Sequence, residues 1–557
     1  MYTRNNPVIQ TFVFMALLML APCVKANQCE IPFPREAGVL TDSPDDLAFA
    51  YEGQIGYTLL NNPDDGVTRL FSFSVTECKV LDQFDLSPDF GVGLPNIRTL
   101  LKVHSKTGLI LIYGFDSTKT QKVLALKSDE TGHLGKLWVA SYSTVPSSLF
   151  ESDVEFDEEG LRVYVIHFTF PQGSGPASMN SPGGLYDSVF IRQRPALRGS
   201  EGSSEEGEQL TAHVTLLNAT TGESIDTVDL PKATPVGDLF HDPVRNRLLA
   251  TTAGDVYIFS PASAPFFLES TIKFSEASLF LSGLSRDGRF LVAYGGYILP
   301  TGESTPTGSN SYYSFDLDAG TFRELLLKGK YAPAVTGLTF DHDSDTLFVP
   351  YAAKIIKESD DTFKFVFRGS RQIDAIKLQA DGSLNRIMDV KLPKRSPGSQ
   401  ETNLIGGANR VVLSPTGAIG FIPTSRGRLF SFDTLTGEIV NDQSLNTDKV
   451  LYVKIIVPTG QLLFNDGRLV FVDIETKPVI TGVAVRKKRT VIKGANFLSG
   501  ARVTVNGEDM GVVERSPENP GREMILNRGS KSLPAGPLTF VVVNRDGLSS
   551  TPFLVSR

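Results

Sequence analysis

The stretch Val411-Val-Leu-Ser-Pro-Thr-Gly417-Ala-Ile-Gly-Phe421, followed by Leu429-Phe-Ser-Phe-Asp433-Thr-Leu-Thr-Gly-Glu438, decides the fold of this chain. Apolar runs alternate with polar turns that end in glycine. Side chains alternate across a β-strand and glycine adopts the backbone angles of tight turns, so each unit predicts an antiparallel hairpin. A second clear copy is Gly283-Leu-Ser-Arg-Asp-Gly288-Arg-Phe-Leu-Val-Ala293.

Such hairpins recur along the chain with a period of roughly 40–50 residues, which is typical of a β-propeller. Four strands in each unit form one propeller blade. Seven units are clear and the one at 47–60 is degenerate, so the pattern favours seven blades and leaves eight as the alternative. In the seven-blade arrangement the N-terminal strands complete the blade that the strand at 469–473 leaves unfinished, which removes exposed sheet edges.

The repeated turns resemble those of a known group of propellers. Ser285-Arg-Asp-Gly288, Ser414-Pro-Thr-Gly417 and Asp433-Thr-Leu-Thr-Gly437 are similar to the repeats of YVTN and lactonase-like seven-bladed propellers. The resemblance extends over roughly residues 95–476 and consists of turn chemistry. It therefore implies the fold and says little about activity.

The pattern changes at Pro478. The elements Thr490-Val-Ile-Lys-Gly-Ala-Asn-Phe497, Ala501-Arg-Val-Thr-Val-Asn-Gly507 and Phe540-Val-Val-Val-Asn-Arg-Asp-Gly547 resemble the IPT/TIG immunoglobulin-like domain in their order. The resemblance implies a β-sandwich that serves as a spacer or interaction module. The predicted fold class is all-β, with a signal peptide at 1–26, a propeller at 27–476 and the immunoglobulin-like domain at 477–557.

The N-terminal segment predicts export. Apolar residues 11–21 follow Arg4 and precede Val24-Lys25-Ala26, which fits a secretory signal peptide cleaved after Ala26. Pro22 fits poorly in a lipidation box before Cys23, so lipidation there is the less favoured alternative. Cleavage would change the net charge from −8 to −10. An acidic exported chain has no broad attraction to nucleic acid, and no transmembrane helix is expected after cleavage.

Two cysteines remain after cleavage, Cys29 and Cys78. In an oxidising compartment the simplest expectation is one disulfide between them, with two separate thiols as the alternative. The bridge would hold the mature N-terminus on an early strand. By the loop-entropy relation it would stabilise the fold by roughly 4 kcal/mol.

Long inserts indicate where a ligand would bind. The inserts at 171–210, 295–310 and 394–407 each follow a second or a fourth strand, and a lesser one lies at 354–363. Because strands alternate in direction, the three longest should emerge on one face of the propeller, and binding residues concentrate in such loops. The candidate binding residues are Tyr186, Arg192, Arg194, Tyr297 and Arg395.

No catalytic, cofactor or metal site stands out. The six histidines form no zinc motif, and His241 and His342 occupy equivalent turns, which indicates a turn role. The acidic stretch 341–352 lacks the glycine and glutamate of an EF-hand. One tryptophan, Trp138, cannot supply the repeated docking of quinoprotein propellers.

The leading hypothesis is a noncatalytic recognition or adhesion protein with an unknown protein or glycan ligand. It would be secreted, periplasmic or on the cell surface. One alternative is a lactonase-like hydrolase or a lyase with its site at the mouth of the central channel, which would need titratable groups to converge there. Another is a structural envelope component.

Overall fold

The architecture was obtained as a computed structural model, in which strands dominate. It describes residues 29–34, 39–40, 47–62, 66–91, 100–144, 153–169, 211–231, 237–252, 255–260, 265–274, 278–296, 311–326, 331–333, 339–357, 363–366, 370–395, 404–405, 410–447, 450, 452–456, 461–472, 474 and 476–556. Within these ranges no helix is long and apolar enough to cross a membrane.

The described residues form ten antiparallel sheets, which we number in chain order. The first strand, β1 (Cys29–Glu30), belongs to sheet 8. Sheet 1 contains β2 (Val39–Leu40), β3 (Leu47–Ala50), β4 (Ile55–Asn61), β5 (Thr68–Ser74) and β6 (Lys79–Asp85), and sheet 2 contains β7 (Leu100–Val103), β8 (Leu109–Phe115), β9 (Thr120–Ser128) and β10 (Leu134–Thr144). Sheet 3 contains β11 (Val154–Phe156), β12 (Arg162–Thr169), β13 (Thr211–Asn218) and β14 (Ser224–Leu230), and sheet 4 contains β15 (Gly237–Asp242), β16 (Arg247–Thr252), β17 (Asp255–Phe259) and β18 (Leu268–Lys273). One short helix, α1 (Ser87–Phe90), follows β6.

Sheets 5 to 8 continue the same plan. Sheet 5 contains β19 (Ser278–Leu284), β20 (Phe290–Gly296), β21 (Ser311–Asp316) and β22 (Thr321–Leu326), and sheet 6 contains β23 (Tyr331–Pro333), β24 (Thr339–Asp341), β25 (Thr346–Lys357), β26 (Phe363–Val366), β27 (Gln372–Leu378) and β28 (Leu384–Lys391). Sheet 7 contains β29 (Val412–Leu413), β30 (Ile419–Pro423), β31 (Arg428–Asp433) and β32 (Ile439–Ser444), and sheet 8 contains β33 (Tyr452–Ile456), β34 (Gln461–Asn465) and β35 (Leu469–Val472) together with β1. In sheet 6 the long strand β25 pairs with β24 and β27 along its first half, and with β23 and β26 along its second.

The repeated turns form as the sequence predicts. Gly288, Gly417 and Gly437 have φ values of 69°, 67° and 74°, and each donates its backbone N–H to the residue three or four positions earlier at 2.8 Å. The hydroxyl of Ser285 accepts the N–H of Phe290 at 2.9 Å, and this hydrogen bond spans the turn. Short-range contacts within the turn therefore define these hairpins.

Sheets 1 to 8 close into a ring, which confirms the β-propeller. Eight apolar clusters lie between them, one at each junction of neighbouring sheets. The last junction joins Phe471 of sheet 8 to Phe71 and Phe73 of sheet 1, all three fully buried or nearly so. Burial of such side chains contributes about 1.5–3 kcal/mol each.

The N-terminal strand closes the ring. β1 pairs with β35, with Cys29 opposite Phe471, so it supplies the fourth strand of sheet 8. The sequence shows seven clear units and a degenerate one at 47–60. The strands β2 to β6 of that degenerate region form a sheet of their own, in which β2 and β3 share the first-strand position beside β4.

The C-terminal region forms sheets 9 and 10, which pack on one apolar core. They contain β36 (Val479–Val485), β37 (Thr490–Ala495), β38 (Arg502–Val505), β39 (Glu508–Val512), β40 (Glu514–Arg515), β41 (Glu523–Leu526), β42 (Leu538–Val543) and β43 (Phe553–Val555). Phe497, Val503, Met524 and Phe540 are fully buried between the two sheets. The three elements that carry the predicted pattern correspond to β37, β38 and β42.

This C-terminal sandwich docks on sheet 7. Leu498 of the sandwich is fully buried in the cluster that contains Phe421 and Val440. The carboxylate of Asp433 accepts the N–H of Ser499 at 2.7 Å and Nη1 of Arg545 at 2.8 Å. Burial tends to raise the pKa of Asp433, but these hydrogen bonds outweigh it and lower the pKa, so the carboxylate stays ionised.

Candidate functional site

The two edges of the ring differ. We call the edge where second and fourth strands end the insert edge, and the edge where first and third strands end the turn edge. The inserts at 171–210 and 295–310 follow the second strands β12 and β20, and the insert at 394–407 follows the fourth strand β28. Asp433 ends the third strand β31, so the sandwich docks on the turn edge, opposite the insert edge.

Four of the five predicted binding residues lie outside the described residues, namely Tyr186, Arg192, Arg194 and Tyr297. Arg395 is described and exposed, on the segment that follows β28 at the insert edge. The hairpin of β25 and β26 also projects from this edge.

A charged group lies on the innermost strands of sheets 2 and 3. First strands of neighbouring sheets contact one another around the ring, for example β11 with β15, so they surround its centre. Nζ of Lys102 on β7 lies 2.8 Å from Oε2 of Glu155 and 3.3 Å from Oδ1 of Asp153. Oδ2 of Asp153 accepts the N–H of Leu239 on β15 at 3.0 Å. We call Lys102, Asp153 and Glu155 the inner cluster.

The inner cluster holds an acid that titrates near neutral pH. Burial, with the charges of Glu155 and Asp238, raises the pKa of Asp153 to about 6, although Lys102 opposes this. Burial also disfavours the charged form of Lys102, but the two carboxylates outweigh it and raise the pKa of the ammonium group. Asp153 precedes β11 and therefore lies at the insert edge. A carboxyl of this kind can exchange a proton at physiological pH.

The two histidines that the sequence assigned to turns make different contacts. Nδ1 of His342 lies 2.8 Å from the carbonyl oxygen of Leu284 on the neighbouring sheet. Nε2 of His241 lies 3.4 Å from Oδ1 of Asn246 within one turn. In the acidic turn at 341–345, Asp341 accepts the hydroxyl of Ser344. Among the described residues no group of three His, Cys, Asp or Glu side chains could hold a metal ion.

The sequence did not predict that two other histidines meet. His167 on β12 and His213 on β13 are directly opposite each other, and their rings stack with centroids 5.0 Å apart. Tyr142 of sheet 2 stacks on His167 at 4.1 Å. We call Tyr142, His167 and His213 the histidine column. Only the pairing of β12 with β13 across the long insert could have revealed it, because nothing in the sequence gives that register.

Hydroxyl and carboxyl groups contact both histidines of the column. Nδ1 of His213 lies 2.6 Å from Oδ1 of Asp229, and its Nε2 lies 2.8 Å from Oγ1 of Thr169. Nε2 of His167 lies 2.9 Å from Oγ1 of Thr215. Burial, and to a lesser degree the neighbouring His213, lower the pKa of His167 to about 3, so its ring is neutral at physiological pH.

No protein-family model matches this chain, and no curated protein matches it. Among solved structures, Saccharomyces cerevisiae Sqt1 is similar over 80% of this chain and 98% of its own, with 8% identity and a TM-score of 0.44. The β-propeller domain of Cps50 (Swd1) from Myceliophteria thermophila covers 68% of this chain and 99% of its own, with 11% identity and a TM-score of 0.35. A functionally unknown protein from Desulfotomaculum acetoxidans covers 67% and 91%, with 13% identity and a TM-score of 0.37. All three TM-scores are below 0.5, so these likenesses are loose and the fold rests on the sheets of this chain itself.

Proposed function

We propose that this chain is an exported recognition or adhesion protein, secreted, periplasmic or on the cell surface, that binds a protein or glycan ligand on its insert edge. In this proposal ligand binding involves no chemical step. One observation carries it: the long inserts leave the ring at one edge, while the sandwich occupies the opposite edge at Asp433. A ligand on the insert edge would meet no obstruction from the sandwich.

Two finer features of the fold belong to the same proposal. The eight sheets and the eight clusters between them support an eight-bladed propeller, closed by β1. The two packed sheets at 479–555 support an immunoglobulin-like sandwich of the IPT/TIG kind, which would act as a spacer. Kinship with the YVTN propellers is proposed on the repeated turns alone.

We also propose the Cys29–Cys78 disulfide. Cys78 packs on the cluster that contains Phe471. The backbone of Cys29 lies opposite Phe471, which brings the two cysteines to the same junction between sheets 8 and 1. The bridge would then fasten the strand that closes the ring.

The binding proposal is tested with a glycan array and a pull-down of the mature protein. We expect deletion of 171–210 to abolish any specific signal and Arg395→Glu to weaken it. The matched control is Glu159→Lys, an equal charge reversal in an exposed turn at the turn edge, which should leave binding unchanged. Binding that survives the deletion, or is lost in the control, contradicts the choice of edge. No ligand on either platform would favour a structural envelope component.

The inner cluster favours a second candidate, a lactonase-like hydrolase or a lyase at the centre of the ring. The supporting observation is the Asp153 carboxyl, whose pKa is about 6, beside the ammonium group of Lys102. This candidate predicts turnover of a panel of lactones that Asp153→Asn abolishes. Equal turnover by the variant and the wild type would exclude Asp153 from catalysis.

A further inference from the structure

Three side chains on adjacent strands of sheet 3 form a continuous relay. Thr169 ends β12, His213 lies on β13, and Asp229 lies on β14 directly opposite His213. The hydroxyl of Thr169 is 2.8 Å from Nε2 of His213, and the carboxylate of Asp229 is 2.6 Å from Nδ1. A hydroxyl, a base and a group that orients the base are the parts of a nucleophilic acyl-transfer site.

From this geometry we propose that Thr169, His213 and Asp229 form an acyl-transfer site that hydrolyses carboxylic esters. The inference goes beyond ligand recognition and involves different residues from the inner cluster. Thr169 would be the nucleophile and His213 the general base. Asp229 would hold the His213 ring with Nδ1 protonated and Nε2 free to accept the hydroxyl proton.

The protons and bonds balance through His213 alone. Oγ1 of Thr169 bonds to the ester carbonyl carbon while its proton passes to Nε2 of His213. The bond to the leaving alcohol then breaks as His213 returns that proton to the alcohol oxygen. A water molecule next attacks the acyl group, gives a proton to His213, and displaces Oγ1, which recovers the proton and releases a carboxylic acid.

The surroundings suit this role for His213. Thr169 is exposed, so an ester can reach its hydroxyl, whereas His213 is only 16% exposed. His167 stacks on His213 and fixes the plane of its ring. Because His167 is neutral at physiological pH, it places no positive charge against a protonated His213.

The solvent exposure of Asp229 limits the expected rate. Its side chain is 71% exposed, so water weakens its interaction with a protonated His213. General-base catalysis typically contributes 10²–10⁴-fold. We therefore expect a contribution below that range, but at least about tenfold over a variant without the base.

The site is tested with p-nitrophenyl acetate and a fluorophosphonate probe on the mature full-length protein. Thr169→Val keeps the shape of the side chain and should lower the rate of hydrolysis at least tenfold. His213→Ala should lower it by a similar factor. Thr169→Ser keeps the hydroxyl and should retain activity. His133→Ala is the matched control, because Nδ1 of His133 also lies 2.8 Å from a carboxylate, Oδ2 of Asp82, on the turn edge.

Support requires that the probe labels Thr169 and that His133→Ala hydrolyses the ester at the wild-type rate. Two results overturn the proposal: a wild-type rate no higher than that of His213→Ala, or labelling that persists in Thr169→Val. Circular dichroism of each variant verifies that lost activity does not reflect lost folding. Ligand binding on the array is measured separately, so failure here leaves the recognition proposal to its own test.

Discussion

Replacement of Asp433 by Asn tests whether one buried carboxylate couples the C-terminal sandwich to the ring. Oδ2 of Asp433 accepts the N–H of Ser499, and Oδ1 accepts both Nη1 of Arg545 and the N–H of Leu435 in its own turn. Asparagine keeps one carbonyl oxygen, so the turn and the Arg545 contact can persist. Its amide group, however, would point an N–H at the N–H of Ser499.

The expected loss follows from these contacts. A buried donor left without a partner costs about 1–3 kcal/mol, and a hydrogen bond to a charged group contributes about 1.5–3 kcal/mol, of which the neutral amide keeps only part. Asp433 is fully buried, while the side chain of Arg545 is 24% exposed and recovers some hydration. We expect Asp433→Asn to lower the free energy of unfolding by about 3 kcal/mol.

The assay is urea unfolding of the mature protein, with limited proteolysis of the segment between β35 and β36 as a second readout. The variant should unfold at lower urea concentration and be cut faster in that segment, because the sandwich separates more readily from sheet 7. Asp509→Asn is the matched control, since Asp509 pairs with Arg502 on the exposed surface of the sandwich. The reasoning is refuted if Asp433→Asn unfolds and is cut like Asp509→Asn.

Two further outcomes are expected. Because the pKa of Asp153 is raised to about 6, its folded form binds a proton more tightly than its unfolded form, so its contribution to stability falls as pH rises from about 4 to 6. Relative to Asp153→Asn, the wild type should lose roughly 2 kcal/mol of unfolding free energy between pH 4.5 and 7. Urea titrations in which the free energies of unfolding of the two proteins differ by the same amount at both pH values would contradict this. Thiol titration under denaturant should find no free thiol in the mature protein, and Cys78→Ser should lower stability by up to roughly 4 kcal/mol; two free thiols in the wild type would exclude the bridge.

Much of the ring could be predicted because its signals are local. The turns at Gly288, Gly417 and Gly437 depend on residues within a few positions of each glycine, and all three lie where the pattern placed them. The order of strands also follows from these turns, so the edge from which the inserts emerge could be predicted as well. The strands β37, β38 and β42 of the sandwich were equally visible in their own sequences.

Most features that join distant segments could not be predicted. Closure by an N-terminal strand was expected, and β1 pairs with β35 more than 400 residues away, but the split of one first strand into β2 and β3 was not predicted. His167 and His213 meet only because β12 and β13 pair across an intervening insert. The inner cluster likewise joins Lys102 and Glu155 from different sheets.

Two copies of one repeated turn separate what the sequence determined from what tertiary structure decided. In Ser314-Phe-Asp316 and Ser431-Phe-Asp433 the aspartate accepts the N–H two residues later through Oδ1, which is short-range chemistry written in the sequence. The second carboxylate oxygen differs: in Asp316 it pairs with Arg289 of the same sheet, and in Asp433 it accepts the N–H of Ser499 from the sandwich. The turn forms from its own residues, whereas the partner of Oδ2 depends on which part of the protein packs against that turn.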